Sequence, residues 1–382
     1  MNDANQHPDQ SPENRPNDVP FSSNAVRLSP REWLVAAGVL VLLAVAVPRA
    51  WKQIEPLDAG ADYRVPYSLG NDYWNYDRTC EQLAAPDKVL LLGDSVVWGH
   101  YVTSDATLSH WLNRQAGEER FVNLGLDGCH PAALLGLVEN YGKAISNHKI
   151  VVNFNLLWLS SPRHDLSEPQ ESAANHPALI PQFSPPVPGY KATLSEKLGV
   201  LAGRHVGCLS WAEHLRTAYF QGKDLARWSL EHPYASPLGQ VDLRLPSPDE
   251  TPSPVPDVRP WSQKRIALQT PDWVALDDSL QWRLFIRTIE VLRERGNRVF
   301  VLIGPYNEHT LTAKGRQAYH ERRDQAAAQL AEQGIPHYAP PALPSEQYAD
   351  ASHPLSEGYK LLANWLHDQE AFTAFVKQDE PR

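Results

Sequence analysis

The sequence predicts an α/β fold organised around a parallel β-sheet. From Asp87 onward, short apolar runs rich in β-branched residues alternate with helical patterns, the arrangement that crossover helices impose on parallel strands. Five runs read as strands: KVLLLG at 88–93, RFVNLG at 120–125, KIVVNFN at 149–155, RVFVLIG at 298–304 and the short PHYAP at 336–340. Between them, Leu108, Trp111 and Leu112 mark one helix closed by Gly117. Leu280, Leu284, Thr288 and Val291 mark a longer one closed by Gly296, glycine being the residue that most readily ends a helix in the left-handed conformation. Tyr359, Leu362 and Leu366 line a last helix soon after SHP at 352–354.

The alternation breaks once. Residues 160–265 carry little strand signal, hold a helix-like stretch over Glu196–Gln221, and include six prolines between Leu245 and Trp261. An insertion of this length reads as a lid or linker, here a cap over the C-terminal edge of the sheet. The expected organisation is a disordered tail at 1–31, an apolar anchor at 32–52, a linker or stalk at 53–86, the α/β domain at 87–159 and 266–370 with the cap at 160–265 between its parts, and a C-terminal tail at 371–382.

With 382 residues, 42% of them hydrophobic, the chain can bury one large core or two ordinary ones. Its net charge of −10 and scattered lysines and arginines leave no basic stripe to follow a phosphate backbone, so nucleic acid is not an expected partner. Cys80, Cys129 and Cys208 show neither CxxC spacing nor a neighbouring histidine cluster, so no metal and no disulfide framework is signalled, and no cofactor is expected. A single Cys80–Cys129 bridge stays open in an oxidising compartment.

The first residues are rich in Asn, Asp, Pro and Ser and cannot offset their own ordering entropy. From Trp33 to Val47 the chain then carries no charged or polar side chain apart from the Trp33 indole, with Arg27 and Arg31 before the run and Arg49, Trp51 and Lys52 after it. That is short of the roughly 20 residues of a full span, yet the flanking tryptophans suit membrane interfaces and the basic ends can snorkel. Three readings stand: an uncleaved anchor, a signal peptide cleaved after Ala44–Ala46, and a buried core helix. The anchor is favoured, because a helix apolar on every face has no partner before the α/β domain begins. It implies a single-pass membrane protein with an extracytoplasmic domain, periplasmic or at the cell surface.

The chemistry gathers at two places. Strand 88–93 stops abruptly on Gly93-Asp94-Ser95, and in an open parallel sheet ligands bind outside the carboxyl ends of the strands. Near the other end of the chain, YADASHPLSEGY places Asp350 and His353 three residues apart just before a helix. A nucleophilic serine needs a base within hydrogen-bond reach, and that imidazole needs an acceptor to fix its tautomer. Ser95, His353 and Asp350 supply the three roles. LIGPYNEH at 302–309 ends a strand at the same edge and could bring Asn307, Glu308 or His309 beside the pocket, although structural turn chemistry is the favoured reading.

These blocks, with VNLGLDG at 122–128 and an asparagine at the end of the third strand, resemble the SGNH (GDSL) hydrolase superfamily over 87–160 and 297–367. The resemblance implies a flavodoxin-like three-layer α/β/α fold with Ser95 as nucleophile, His353 as base and Asp350 as its orienting acid. It implies an oxyanion hole from the amides of Ser95 and Gly128, with Gly125 as the alternative glycine. The third block departs from the family pattern: VVNFNLLWLSSP has no glycine and no Asn-Asp pair. Asn153 and Asn155 share a strand face, and Asn155, nearer the carboxyl edge, is the expected side-chain donor. The N-x-x-W form through Trp158 resembles membrane-anchored DltD-like and alginate O-acetylation proteins.

The activity so implied is acyl transfer through an acyl-serine, by an esterase or O-acyltransferase acting on acylated small molecules or cell-envelope polysaccharides, with a membrane-bound acyl-transfer protein as a further partner. A non-catalytic binding or assembly module with the same fold is the alternative. A nucleotide-binding protein is disfavoured, since no glycine-rich phosphate loop follows the first strand.

Overall fold

The computed structural model describes residues 28–60, 62–249 and 258–377. The chain divides into two compact units, Met1–Val47 and Pro48–Arg382. In the first, the described residues belong almost wholly to helix α1 (Pro30–Ile54), which is long and apolar enough to cross a membrane; its remaining turns, from Pro48 on, belong to the second unit. The expected tail at 1–31 lies mostly outside the described residues.

In the second unit the chain runs through α2 (Tyr73–Leu83), β1 (Val89–Leu92), α3 (Ser95–Trp98), α4 (Leu108–Ala116), β2 (Phe121–Asn123), α5 (Pro131–Tyr141) and β3 (Lys149–Phe154). Four helices follow, α6 (Leu194–His205), α7 (Gly207–Tyr219), α8 (Leu225–Glu231) and α9 (Pro237–Gln240). The chain then continues through α10 (Leu280–Glu294), β4 (Arg298–Ile303), α11 (Ala313–Glu332), β5 (His337–Tyr338), α12 (Ser356–Asp368) and α13 (Glu370–Lys377). All five strands are parallel, in the order β2-β1-β3-β4-β5. The order reverses at β1, so the crevice beyond the ends of β1 and β3 is the switch point where open sheets bind ligands.

Strand residues alternate between two cores, as a period of two requires. Leu90, Leu92, Ile150 and Val152 enter the larger core with α5 and α10, while Val89, Leu91, Val151 and Phe300 enter the other with α4, α12 and α13. The five expected strands are all present, and the expected helices end at Gly117 and just before Gly296.

Three expected boundaries are corrected. The linker at 53–86 is instead part of the fold: Val65, Leu69, Tyr76 and Cys80 are buried in the larger core. The C-terminal tail holds α13, whose Phe372, Phe375 and Val376, spaced i, i+3, i+4, cover the smaller core. The region 160–265 is more than a cap. Leu166, Leu179 and Ile180 are core residues, and the buried Asp165 carboxylate accepts the backbone N–H groups of Leu280 at 3.0 Å and Gln281 at 3.1 Å, anchoring the start of α10. The helix-like stretch Glu196–Gln221 divides into α6 and α7. Cys80 and Cys129 are both buried as free thiols, so the bridge left open above is not formed.

One buried polar cluster ties the end of α1 to the inserted helices. The Glu55 side chain, fully buried, accepts from Trp51 Nε1 at 3.1 Å, from Arg78 Nη1 at 2.5 Å, from the Tyr219 hydroxyl, and from His214 Nε2 at 3.0 Å. His214 Nδ1 lies 2.6 Å from Asp72 Oδ2. Carboxylates only accept, so an imidazole between two of them carries both protons. Two cations and two anions then share one buried cluster with no net charge, the condition under which buried charge is tolerated. Burial pushes the His214 pKa down, but Asp72 and Glu55 outweigh it and raise it to about 9.

Because that folded-state pKa lies above the ordinary value of 6.5, the stabilisation is complete below about pH 6.5 and is lost as pH rises through about 9. Thermal melts should therefore show Tm falling across this window; a Tm flat from pH 7 to 10 contradicts a charged His214. Glu55→Gln should cost about 3–5 kcal/mol in chemical denaturation, as expected when one member of a buried ion pair is removed.

Candidate active site

The turn that carries Ser95 is shaped by Gly93 and Asp94. A Cβ on Gly93 would stand 2.6 Å from Val97 Cγ2 and 2.9 Å from Asn153 Cβ, so only glycine lets β1 turn this tightly into α3. Asp94 caps α3 by accepting from Val96 N at 2.9 Å through Oδ1. Its Oδ2 accepts from Asn155 Nδ2 and Trp158 Nε1, both at 2.9 Å. Asn155 caps a 3₁₀ turn (Leu156–Leu159) that contains Trp158, and three residues complete one such turn, so the two side chains converge on one oxygen. Burial pushes the Asp94 carboxyl up against the opposing effect of these donors.

Ser95, buried to 8% exposure, presents Oγ at 2.6 Å from His353 Nε2. His353 Nδ1 is 2.8 Å from both oxygens of Asp350. Since the carboxylate accepts the Nδ1 proton, the Nε2 lone pair is left to accept from the serine hydroxyl. The loop holding the pair is tight: Asp350 Oδ1 also accepts the N–H groups of Ser352 and His353 at 3.0 Å, and Ala349 N–H donates to the His353 carbonyl at 2.9 Å. Burial pushes the Asp350 carboxyl up, but His353 and the two N–H donors outweigh it and hold the pKa well below the carboxylate range. For His353, burial pushes down while Asp350 raises, and the net direction is upward.

The other expected residues divide. Gly128 has φ of 74°, and a Cβ there would sit 2.6 Å from Asn175 Nδ2. Among the described residues, the N–H groups of Ser95 and Gly128 have no acceptor, whereas the Gly125 N–H donates to Asn123 Oδ1 at 3.0 Å. Gly128 is therefore the better placed glycine. Asn155 reaches the turn that carries Ser95; Asn153 turns away and donates to the carbonyls of Leu302 and Gly304. Of the LIGPYNEH group, Asn307 braces the acid loop, donating Nδ2–H to the Asp350 carbonyl and its backbone N–H to Ala351, both at 2.8 Å. His309 and Glu308 face Leu343 and His320 instead.

Some of the site was not anticipated. His100 lies against Asp127, and the His100 ring borders His353; His176 Nε2 donates to the Asp127 carbonyl at 2.7 Å. Both ends of the inserted region reach this rim, through Asn175 and His176 on one side and through Lys264, 5.5 Å above the Tyr101 ring, on the other. Among the described residues no group of three or more His, Cys, Asp or Glu is arranged to hold a metal.

No protein-family model and no curated protein matches this chain.

Asp94→Asn tests how the turn is held. An amide keeps the shape but must direct N–H groups at Asn155, Trp158 or Val96, so a loss of about 1–3 kcal/mol in unfolding free energy is expected. A variant as stable as the wild type shows that Asp94 is not the support described.

Proposed function

We propose that the protein is a membrane-anchored, extracytoplasmic serine esterase or O-acyltransferase that acts through an acyl-serine on acylated carbohydrates of the cell envelope. The observation that carries the proposal is the unbroken line from Ser95 Oγ through His353 to Asp350, set at the sheet's switch point. The strand order 2-1-3-4-5 is that of flavodoxin-like sheets, and together with the GDS, Gly128, Asn155 and DASHP positions it supports an SGNH-type reading. Helix α1 supports the anchor.

In this mechanism Ser95 Oγ attacks the ester carbonyl as its proton passes to His353 Nε2. The carbonyl oxygen becomes an oxyanion, for which the Ser95 and Gly128 amides are the donors at hand, with the second N–H of Asn155 beside them. Collapse breaks the acyl–oxygen bond and His353 returns the proton to the leaving alcohol. Water or a second alcohol reverses the sequence and frees the serine. Asp350 holds the reactive tautomer throughout and stabilises the imidazolium.

A fluorophosphonate probe should label the wild-type protein and leave Ser95→Ala unlabelled. A protein that binds acylated glycans while Ser95 stays unreactive is the binding module, and the enzymatic reading fails.

Asp350→Asn should lower kcat on the order of 10²-fold or more with folding intact. Catalysis needs neutral His353, so kcat/KM rises with pH through its pKa. Asp350 helps lift that pKa above the ordinary 6.5, so the acidic limb should lie above pH 6.5 in the wild type and move to lower pH in Asp350→Asn. Unchanged turnover and an unmoved limb would remove Asp350 from the triad.

A further inference from the structure

A second histidine stands beside the first. His100 follows the nucleophile helix after Gly99, and its N–H returns to the Ser95 carbonyl at 3.1 Å. Arg64 pins this turn, donating to the carbonyls of Trp98 at 3.1 Å and Gly99 at 2.6 Å. His100 Nδ1 lies 2.6 Å from Asp127 Oδ1, and Asp127 immediately precedes Gly128. The His100 and His353 ring centroids are 5.3 Å apart. Each imidazole therefore has Nδ1 on a carboxylate. His353 Nε2 faces Ser95; His100 Nε2 has no partner among the described residues, and its side chain is 23% exposed.

The reaction itself says what occupies the space at this rim. An alcohol that leaves the acyl group, or attacks it, exchanges a proton with His353 Nε2 and so must lie against that ring. His100 borders the same space. With Nδ1–H donated to Asp127, its Nε2 is an acceptor.

We propose that His100, oriented by Asp127, accepts a hydrogen bond from a hydroxyl neighbouring the reacting oxygen, and that the site thereby selects esters of polyhydroxylated alcohols, as acyl donors and as acceptors. The inference rests on the acyl-transfer reading of Ser95 and deepens it. His100 exchanges no proton. In the first half, the Ser95 proton passes through His353 to the departing alcohol as the acyl carbon exchanges its bond to that alcohol for one to Oγ. In the second, the acceptor's proton passes through His353 back to Oγ as the acyl carbon bonds to the acceptor. In both, His100 holds the adjacent hydroxyl. A site built to hydrogen-bond a hydroxyl rejects the analogue that lacks it, because the bound analogue covers the site's polar group and leaves it unpaired.

The test uses the full-length protein in detergent and two esters. Methyl 3-O-acetyl-β-D-glucopyranoside has a free hydroxyl on each side of its ester; cyclohexyl acetate keeps the six-membered ring without them. His100→Phe should lower the ratio of kcat/KM for the glucoside over the cyclohexyl ester by at least ~10-fold, with Asp127→Asn shifting it in the same direction. If His100→Phe does not fold, His100→Leu, which also lacks an acceptor, carries the same measurement. A brace that only supports the fold lowers both rates together, and a ratio equal to that of the wild type overturns the proposal. So does a labelled wild type that fails to cleave the glucoside. Failure of fluorophosphonate to react with wild-type Ser95 is a different outcome: it removes the acyl-transfer reading, and this inference with it.

Discussion

The candidate site depends on one buried carboxylate. Asp94 belongs to the turn that presents Ser95, yet it takes its hydrogen bonds from two strand ends, from Val96 on its own side and from Asn155 and Trp158 beyond β3. Parallel strands share no turn, and beyond the last backbone pair of β1 and β3, Leu92 with Val152, side chains link the segments that leave them. Asp94 supplies that link at the switch point, where the fold otherwise leaves a gap. The serine, the amide of Asn155 and the indole of Trp158 are positioned by a single group, so changing any one of them disturbs the others.

A similar economy governs the rest of the unit. The Asp350 loop would be a short exposed turn on its own, but Asn307 holds it from the end of β4. The Tyr359 hydroxyl of α12 donates to the Val96 carbonyl of α3 at 2.7 Å, joining the helix after the histidine to the helix that begins with the serine. Far from the site, Glu55, Asp72, Arg78 and His214 do the same for α1, α2 and α7. In each case a polar side chain links segments distant in sequence, and each has its partners satisfied, which is what makes burying it tolerable.

What the sequence disclosed follows from the range of the interactions involved. Strands and their two faces are local patterns, and all five were legible. Asp350 and His353 lie within one loop, so their pairing could be read from spacing; Ser95 could be joined to them because its chemistry requires a base. The pairing of His100 with Asp127 could not be read, because it arises only when the end of α3 and the loop after β2 are brought together by β1 and β2. Helix α2 escaped because its buried face is made of aromatic and polar residues, Tyr73, Trp74, Asn75 and Tyr76, which resemble a surface segment until their partners are known. Helix α13 carried a readable i, i+3, i+4 apolar signal in Phe372, Phe375 and Val376 that its position at the chain end obscured. The inserted region was misjudged for the opposite reason: its prolines imply loops, but loops can still carry core residues such as Leu179 and Ile180.

The separation of Ser95 from His353, 258 residues along the chain, also bears on how the molecule comes into being. The serine leaves the ribosome early, with β1, while the imidazole that stands against it in the folded structure follows only after β5. Contacts of such long range form late in folding, since the loop they close must first be ordered. A nascent or partly unfolded chain thus carries Ser95 without the imidazole that lies beside it in the folded structure. The meeting of Ser95 with His353 and Asp350 therefore waits on the assembly of the sheet, and a chain cut before Asp350 would carry the serine without either partner.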